Sequence, residues 1–422
     1  MGNPFDAISS VNGLIGRFFR QPNGDFADRL SARLTVSILT ILAAILLSTH
    51  YWGEPITCWA PAQFTKQWVD FVNYYCYVHG TYFVPMNKPL AWDEDMRRQV
   101  PINYYQWVPY VFGLQALLFY LPRFFWRCLC GVCGVDLAGI VRHVDAVWIK
   151  VQADQPSFQG RQEKFEKFAA PFVWDSIRLY RTRSGFSSRL LPMCYVAANV
   201  VQAGNAWIQW WWLNRFLQSH SYALWGIGII ADLFSGIDWQ FSGHFPRITH
   251  CDFSHRRPAS VQLDTVLCVL TLNVYYEKIF LFLWFWMAFV GVVCAANAIF
   301  WAHSLCFHQA TVRLVRKYMK STDPSDAEEA RSPVQDVLVD ERQVDRYLEL
   351  LGTDGLFILS HIAINVGHLP ASYLARAMCN VSTEWYPTMP RRVKAVGSSS
   401  YLITSSAQET SPILGRKGAK EV

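Results

Sequence analysis

The stretch NYYQWVPYVFGLQALLFYLPRFFWR, residues 103–127, decides how the chain must be read. It stays apolar for about twenty residues, the length a helix needs to cross about 30 Å of hydrocarbon. A soluble core helix would not carry both Pro109 and Pro122. A membrane helix has a place for each. Pro109 falls in the first turn, where its missing N–H costs least. Pro122 falls near the far end, where Arg123 can extend its stem toward the headgroups. Tyr104, Tyr105 and Trp107 have rings with a polar tip, which favour the interface between lipid and water.

The whole composition agrees. Hydrophobic residues make up 52% of the 422, aromatics 15% and charged residues only 17%, against about 25% in an average soluble domain. Eighteen tryptophans suit an interfacial belt. The net charge of +6 is spread along the chain. No basic run with interleaved aromatics marks a nucleic-acid surface, so no nucleic-acid partner is expected. Residues 1–20 hold Asp6, Arg17 and Arg20, which argues against a cleavable signal peptide. Asp6 also stands where a myristoylation signal wants Ser or Thr.

Working outward, three more segments qualify as spans: 34–52, about 190–214, and 279–301. The expected fold is an all-α membrane protein with four transmembrane helices, two outer loops and a helical cytoplasmic domain. Lys and Arg set its orientation. Residues 53–104 hold four, Lys66, Lys88, Arg97 and Arg98, whereas 127–189 hold ten, from Arg127 to Arg189. The second of these segments and the tail are therefore expected inside, with both termini. The divisions read as 1–32, an N-terminal segment; 33–53, 105–126, 190–217 and 278–302, the spans; 54–104 and 218–277, the outer loops; 127–189, a cytoplasmic loop; 303–394, a helical tail; and 395–422, a disordered Ser/Thr/Gly-rich end. In the tail Gly352 is expected to stop a helix running from 334. The Asn380-Val-Ser sequon then lies inside and stays bare.

Two of the eleven cysteines lie in the first outer loop, Cys58 and Cys76, and two in the second, Cys251 and Cys268. Even counts on the oxidising side read as disulfides, with three connectivities open. Cys128, Cys130 and Cys133 in RCLCGVC lack a fourth ligand for a closed zinc site. They suit either juxtamembrane palmitoylation or plain packing at a membrane exit. His244, His250 and His255 surround Cys251, but nothing in their spacing makes them converge on a metal. No phosphate loop, zinc-binding HExxH or nucleophile elbow occurs, so neither an enzyme nor a cofactor is expected.

Several faces suggest roles. Phe5, Ile8, Val11, Ile15 and Phe18 share one helical face, with Asn3, Asp6, Ser10, Asn12 and Arg17 as the polar remainder. Such a helix could lie on the membrane or fold into a pore. Ala288, Gly291, Ala295, Ala298 and Ala302 form a small-residue stripe suited to close helix packing. Asn199, Gln202, Asn205 and Gln209 share one face of the third span and need hydrogen-bond partners, or a hydrated vestibule. In WDEDMRRQ, Asp93 with Arg97 and Glu94 with Arg98 are spaced to pair on a helix; unpaired, the carboxylates could ring a cation pore.

Several of these stretches resemble one family. YYQWV (Tyr104, Tyr105, Gln106, Trp107 and Val108) is similar to the signature pentapeptide of innexins, the invertebrate gap-junction proteins. SGHFPRITHCDF at 242–253, NVYYEKIFLFLWFW at 273–286, the N-terminal MGNPFDAISSVNGL and the two-plus-two outer cysteines extend the resemblance over residues 1–320. Connexins carry three cysteines per outer loop, and tetraspanins a CCG motif that is missing here. The resemblance departs at Thr271, where the family has proline entering the fourth span. It implies a plasma-membrane subunit of a large-pore gap-junction channel and hemichannel, ringed as an octamer with itself or other innexins, and docking with a ring on the neighbouring cell. It also implies disulfides Cys58–Cys268 and Cys76–Cys251, and an N-terminal funnel in which Asn3, Asp6, Ser10, Asn12 and Arg17 are pore-lining candidates. Two alternatives keep the same spans: a pannexin-like release hemichannel, and a junctional scaffold without a pore.

Overall fold

The computed structural model describes residues 24–85, 89–98, 100–154, 157–184, 189–217, 223–235, 245–258, 260–306, 313 and 341–385. The candidates Asn3, Asp6, Ser10, Asn12 and Arg17, together with His244 and the disordered end expected at 395–422, lie outside these.

Helix α1 covers Phe26–Trp52. Its second turn, Leu30–Thr35, is π-helical, and the Thr35 hydroxyl donates 2.9 Å to the Leu30 carbonyl five residues back. The extra residue frees backbone groups that a side chain then satisfies. Strand β1 is Ile56–Trp59, helix α2 Lys66–His79, β2 Thr81–Tyr82 and β3 Pro101–Ile102. A 3-10 turn at Tyr104–Gln106 leads into α3, Val108–Cys133. Gly134, at φ 74°, closes α3; the Val135 N–H reaches the Cys130 carbonyl, and the Gly134 N–H that of Gly131. This left-handed cap suits glycine alone. Then come α4 (Leu137–Asp154), α5 (Phe158–Ser184), α6 (Leu190–Leu217) and α7 (Trp225–Phe234). Strands β4 (Ile248–Arg257) and β5 (Ser260–Leu270) form a hairpin that feeds α8 (Thr271–Cys306). Helices α9 (Glu341–Asn365) and α10 (His368–Trp385) follow.

Among the described residues three helices are long and apolar enough to cross a membrane: α1, α3 and Thr271–Leu305 of α8. Helix α6 has 28 residues and packs against both α3 and α8. Its amides keep it less apolar than its neighbours. Gly352, at φ 64°, breaks α9 into two helical pieces.

Two apolar cores divide the molecule. One joins α1, α3, the outer parts of α6 and α8, and the segments around the disulfides. The other gathers α4, α5, α9 and α10 around the opposite ends of α6 and α8, through Tyr195 and Trp301.

The expectation of an all-α chain misses a five-stranded antiparallel sheet, in the order β1-β5-β4-β2-β3. The chain is still mostly helical. The strands are there because the second outer loop carries alternation: Val266, Cys268 and Leu270 of β5 turn inward, and β-branched Val and Thr fit a pleat. The hairpin supplies the long strands, and the first loop adds β1 beside β5 and the short pair β2 and β3 beside β4.

Two charged residues behave differently from their sequence expectation. Arg123 is 6% exposed and pairs with Asp28 of α1 at 3.7 Å. A buried guanidinium needs an anion more than it needs water, so it turns inward instead of extending along the lipid. Arg97 directs its guanidinium to Asp252 at 3.5 Å. The helix at Glu94–Arg97 is one turn long, and the Arg97 N–H closes it on the Asp93 carbonyl at 3.2 Å.

Candidate functional site

The sheet and α2 form a cap over one end of the long helices. Two disulfides staple it: Cys58 to Cys268 and Cys76 to Cys251. Cys58 faces Cys268 directly in the β1–β5 register. Cys76 sits on the last turn of α2 and meets β4. All four are buried, and each bond joins the first outer loop to the second. Closing loops this long contributes about 2–4 kcal/mol apiece. The sulfurs of Cys58, Cys76 and Cys268 crowd within 4.8 Å of one another, but as disulfides they are no thiolate ligand set.

The pentapeptide holds this cap onto α3. Helix α2 ends with orphan carbonyls, as any helix does. Tyr105, fully buried, donates its hydroxyl to the Tyr77 carbonyl at 3.0 Å and to that of Cys76 at 3.4 Å. The Gln106 amide reaches the Tyr77 and Val78 carbonyls. Two side chains of one short turn thus finish the C-terminus of α2. Tyr104 donates to Asn273 of α8 at 3.1 Å, and Asn273 donates to the Pro246 carbonyl at 2.7 Å. Val108 is buried, whereas Trp107 is 68% exposed, as an interfacial ring would be. Tyr105, expected at the lipid interface, is instead buried inside the subunit. Burial pushes the phenols of Tyr104 and Tyr105 above the usual tyrosine range and that of Tyr77 up to about 12.

Thr271, where proline was expected, hydrogen-bonds the carbonyls of Glu54 at 2.9 Å and Pro55 at 3.1 Å. A hydroxyl does by bonding what a ring would do by rigidity: it fixes the start of α8 against the exit of α1.

On the sheet, Asp252 of β4 is buried. It accepts from Tyr82 at 2.8 Å and from Thr265 at 2.6 Å, and it pairs with Arg97. Sequence reasoning missed this carboxylate, which its place in CDF next to Cys251 could have flagged. His250 stacks on Tyr82 at 5.9 Å, and burial pushes its imidazole below the usual range. His255 lies 3.4 Å from Asp264.

Three of the four amides of α6 meet partners on other helices, and Gln209 bonds within α6. Gln202 donates to the Ala27 carbonyl at 3.2 Å and Asn205 to that of Leu118 at 3.0 Å. Asn199 accepts from Asn297 at 2.8 Å, and Gln209 donates to Asn205 at 3.4 Å. Gly291 lies against Trp207, where an added Cβ would stand 3.2 Å from the indole. Ala298 is buried, and Ala288, Ala295 and Ala302 are half-buried, on the same helix.

At the end away from the cap, Asp25 accepts hydrogen bonds from the Tyr195 hydroxyl and the Trp301 indole. His361 of α9 stacks on Trp301 at 5.5 Å. Cys128 is exposed, and Cys130 and Cys133 are half-buried; Cys133 contacts Cys194 of α6.

A bundle of long apolar helices with a disulfide-stapled cap at one end and a helical unit at the other fits a membrane protein. Comparison with known proteins makes this specific. An innexin family profile matches residues 24–382. Innexin-6 of Caenorhabditis elegans is 49% identical over 385 residues, covering 91% of this chain and 95% of that one. Innexin-5 and innexin unc-9 of the same animal are each 31% identical, over 370 and 366 residues. Each covers 84% of this chain, with 80% and 91% of the respective relative. The chain belongs to the innexin family, whose members are gap-junction channel subunits, multi-pass in the plasma membrane at cell junctions.

Proposed function

We propose that the chain crosses the membrane four times, through α1, α3, α6 and α8, and that eight copies ring a water-filled pore. Two such rings dock through their caps and let ions and small metabolites diffuse between cells. The segments 54–104 and 218–277 face outward; 127–189, 303–394 and both termini face the cytoplasm. The N-terminal segment folds into the pore, with Asn3, Asp6, Ser10, Asn12 and Arg17 toward water. No chemical step is involved.

The observation that carries this reading is the cap. Segments on either side of α3 and α6 build one sheet, tied by Cys58–Cys268 and Cys76–Cys251. A sheet shared by both loops presents one rigid outer face per subunit, which suits rings that must meet in register. Interhelical bonding of the α6 amides supports a span that holds the subunit together more than one that lines water.

Electrical recording from paired cells, with a projection image of the purified protein, tests it. Current between the cells and an eight-fold ring with a central hole are expected. Current only in unpaired cells would favour the release hemichannel. A ring without current in either arrangement would favour the scaffold.

A further inference from the structure

Helices α1 and α3 lie side by side and antiparallel. Tyr51 meets Tyr110 at 3.3 Å near the cap, and Asp28 meets Arg123 at 3.7 Å at the other end. At that second end two pairs of arginines border the same seam. Arg29 and Arg33 are four apart on α1, and Arg123 and Arg127 four apart on α3, so each pair shares a helix face. The charges of Arg33, Arg123 and Arg127 all act on the Asp28 carboxylate, and those of Arg29, Arg123 and Arg127 act on Arg33. The carboxylates among these four guanidiniums, Asp25 and Asp28, are both engaged: Asp25 accepts from Tyr195 and Trp301, and Asp28 pairs with Arg123. The six groups together carry more positive charge than negative. Arg29 donates to the Gly24 carbonyl at 3.2 Å and to Asn365. Arg127 is exposed, and Arg33 is half-buried.

We propose that the seam between α1 and α3 binds the phosphate of an acidic lipid headgroup through Arg33 and Arg127, with an acyl chain laid along α3. A guanidinium suits the task, since its planar fork matches a pair of phosphate oxygens. Basic pockets between spanning helices take lipid headgroups in this way. The proposal rests on α1 and α3 lying in the bilayer, and on no statement about the pore.

The surface beside the arginines is the reason to assign the phosphate to a lipid. Leu117, Leu121 and Phe124 are exposed, and their steps of four and three lead along α3 to Arg127. Phe26, in the first turn of α1, is exposed as well. A free phosphate ion would use the arginines and leave this apolar strip idle, whereas a lipid uses both. The headgroup supplies the negative charge that the six groups lack. It also bridges α1 to α3 beside the contact of Arg29 with α9, so binding should stabilise the subunit.

The test uses the full-length protein purified in detergent. Mixed micelles containing phosphatidylserine should raise its melting temperature by about 2 °C or more relative to micelles with phosphatidylcholine alone. Combining Arg33→Gln with Arg127→Gln should remove most of that rise. Lys150→Gln takes an exposed charge from α4 and should keep it. Inorganic phosphate at the same concentration and ionic strength should give no rise; one equal to that of the lipid overturns the lipid as the source. A rise that survives in the double variant, or a wild type that does not distinguish the two lipids, overturns the proposal. Should the double variant not fold, native mass spectrometry of the wild type decides. From micelles holding equal amounts of both lipids the subunit should retain the acidic one severalfold more, and equal retention overturns the site. A chain that stayed soluble without detergent would overturn the membrane reading beneath it instead.

Discussion

Arg29, in the first turn of α1, donates a 2.6 Å hydrogen bond to the side-chain oxygen of Asn365, the last residue of α9. The two residues are 336 positions apart in sequence. The contact joins the start of α1 to the helical unit at the end away from the cap. Asp28 with Arg123 and Asp25 with Tyr195 and Trp301 lie on neighbouring turns. Whatever moves α9 therefore pulls on the point where the N-terminal segment leaves α1.

Replacing Asn365 by Leu should cost about 1 kcal/mol, the ordinary value of a half-exposed bond to a charged donor. The melting temperature of the purified protein should drop by a few degrees. Asn365→Asp keeps an acceptor for Arg29 and should retain most of the stability. Equal losses in the two variants would show that the contact is incidental.

Tyr105→Phe should cost about 1–2 kcal/mol, because a buried hydroxyl and the carbonyls it serves lose each other. Gln106→Ala alone should cost less, since Tyr105 still serves Tyr77. Together they leave the end of α2 with neither partner, and the double loss should exceed the sum of the single ones. Thermal melting and limited proteolysis between 60 and 100 read this directly. Simple additivity would mean that the two side chains do not share a task.

Gly291→Leu should impair assembly, as the new side chain must displace the Trp207 ring. Val292→Leu, at a position 55% exposed, should leave it intact. Overpacking of this kind costs about 1–3 kcal/mol. Size-exclusion chromatography in detergent would compare the two, and equal oligomer yields would reject a packing role for the glycine.

Stability should depend on pH through His250. Burial keeps its folded-state imidazole below the usual range, so the unfolded chain binds the proton more readily. Stability is then fully present above the unfolded value of about 6.5 and is lost as pH falls toward the folded value. The melting temperature should be level above neutrality and decline in acid. His250→Gln should flatten that decline in part; an unchanged slope would place the titrating group elsewhere.

Much of the helical frame was legible because lipid imposes a length. The apolar runs of α1, α3 and α8 announce themselves, and α6 shows as a long segment interrupted by amides. Gly352 was legible as a break because few other residues tolerate a left-handed backbone. The sheet was not. Strands β2 and β3 are two residues each, below any periodicity that a pattern can reveal. The inward turn of Arg123 was hidden for a different reason: its partner Asp28 lies 95 positions away, and only folding brings them together. The same holds for Arg97 and Asp252. For the cysteines, spacing alone left the pairing open until a resemblance supplied one, because connectivity is a property of strand register and not of sequence intervals.

The order β1-β5-β4-β2-β3 interleaves the two outer segments, so the hairpin of one is flanked on both sides by strands of the other. Neither segment has a complete fold of its own to carry elsewhere. Chimeras that exchange one loop between relatives would tear ladder hydrogen bonds at two seams, whereas exchanging both would transplant an intact module. Partner preference in this family should therefore be portable only as a matched set.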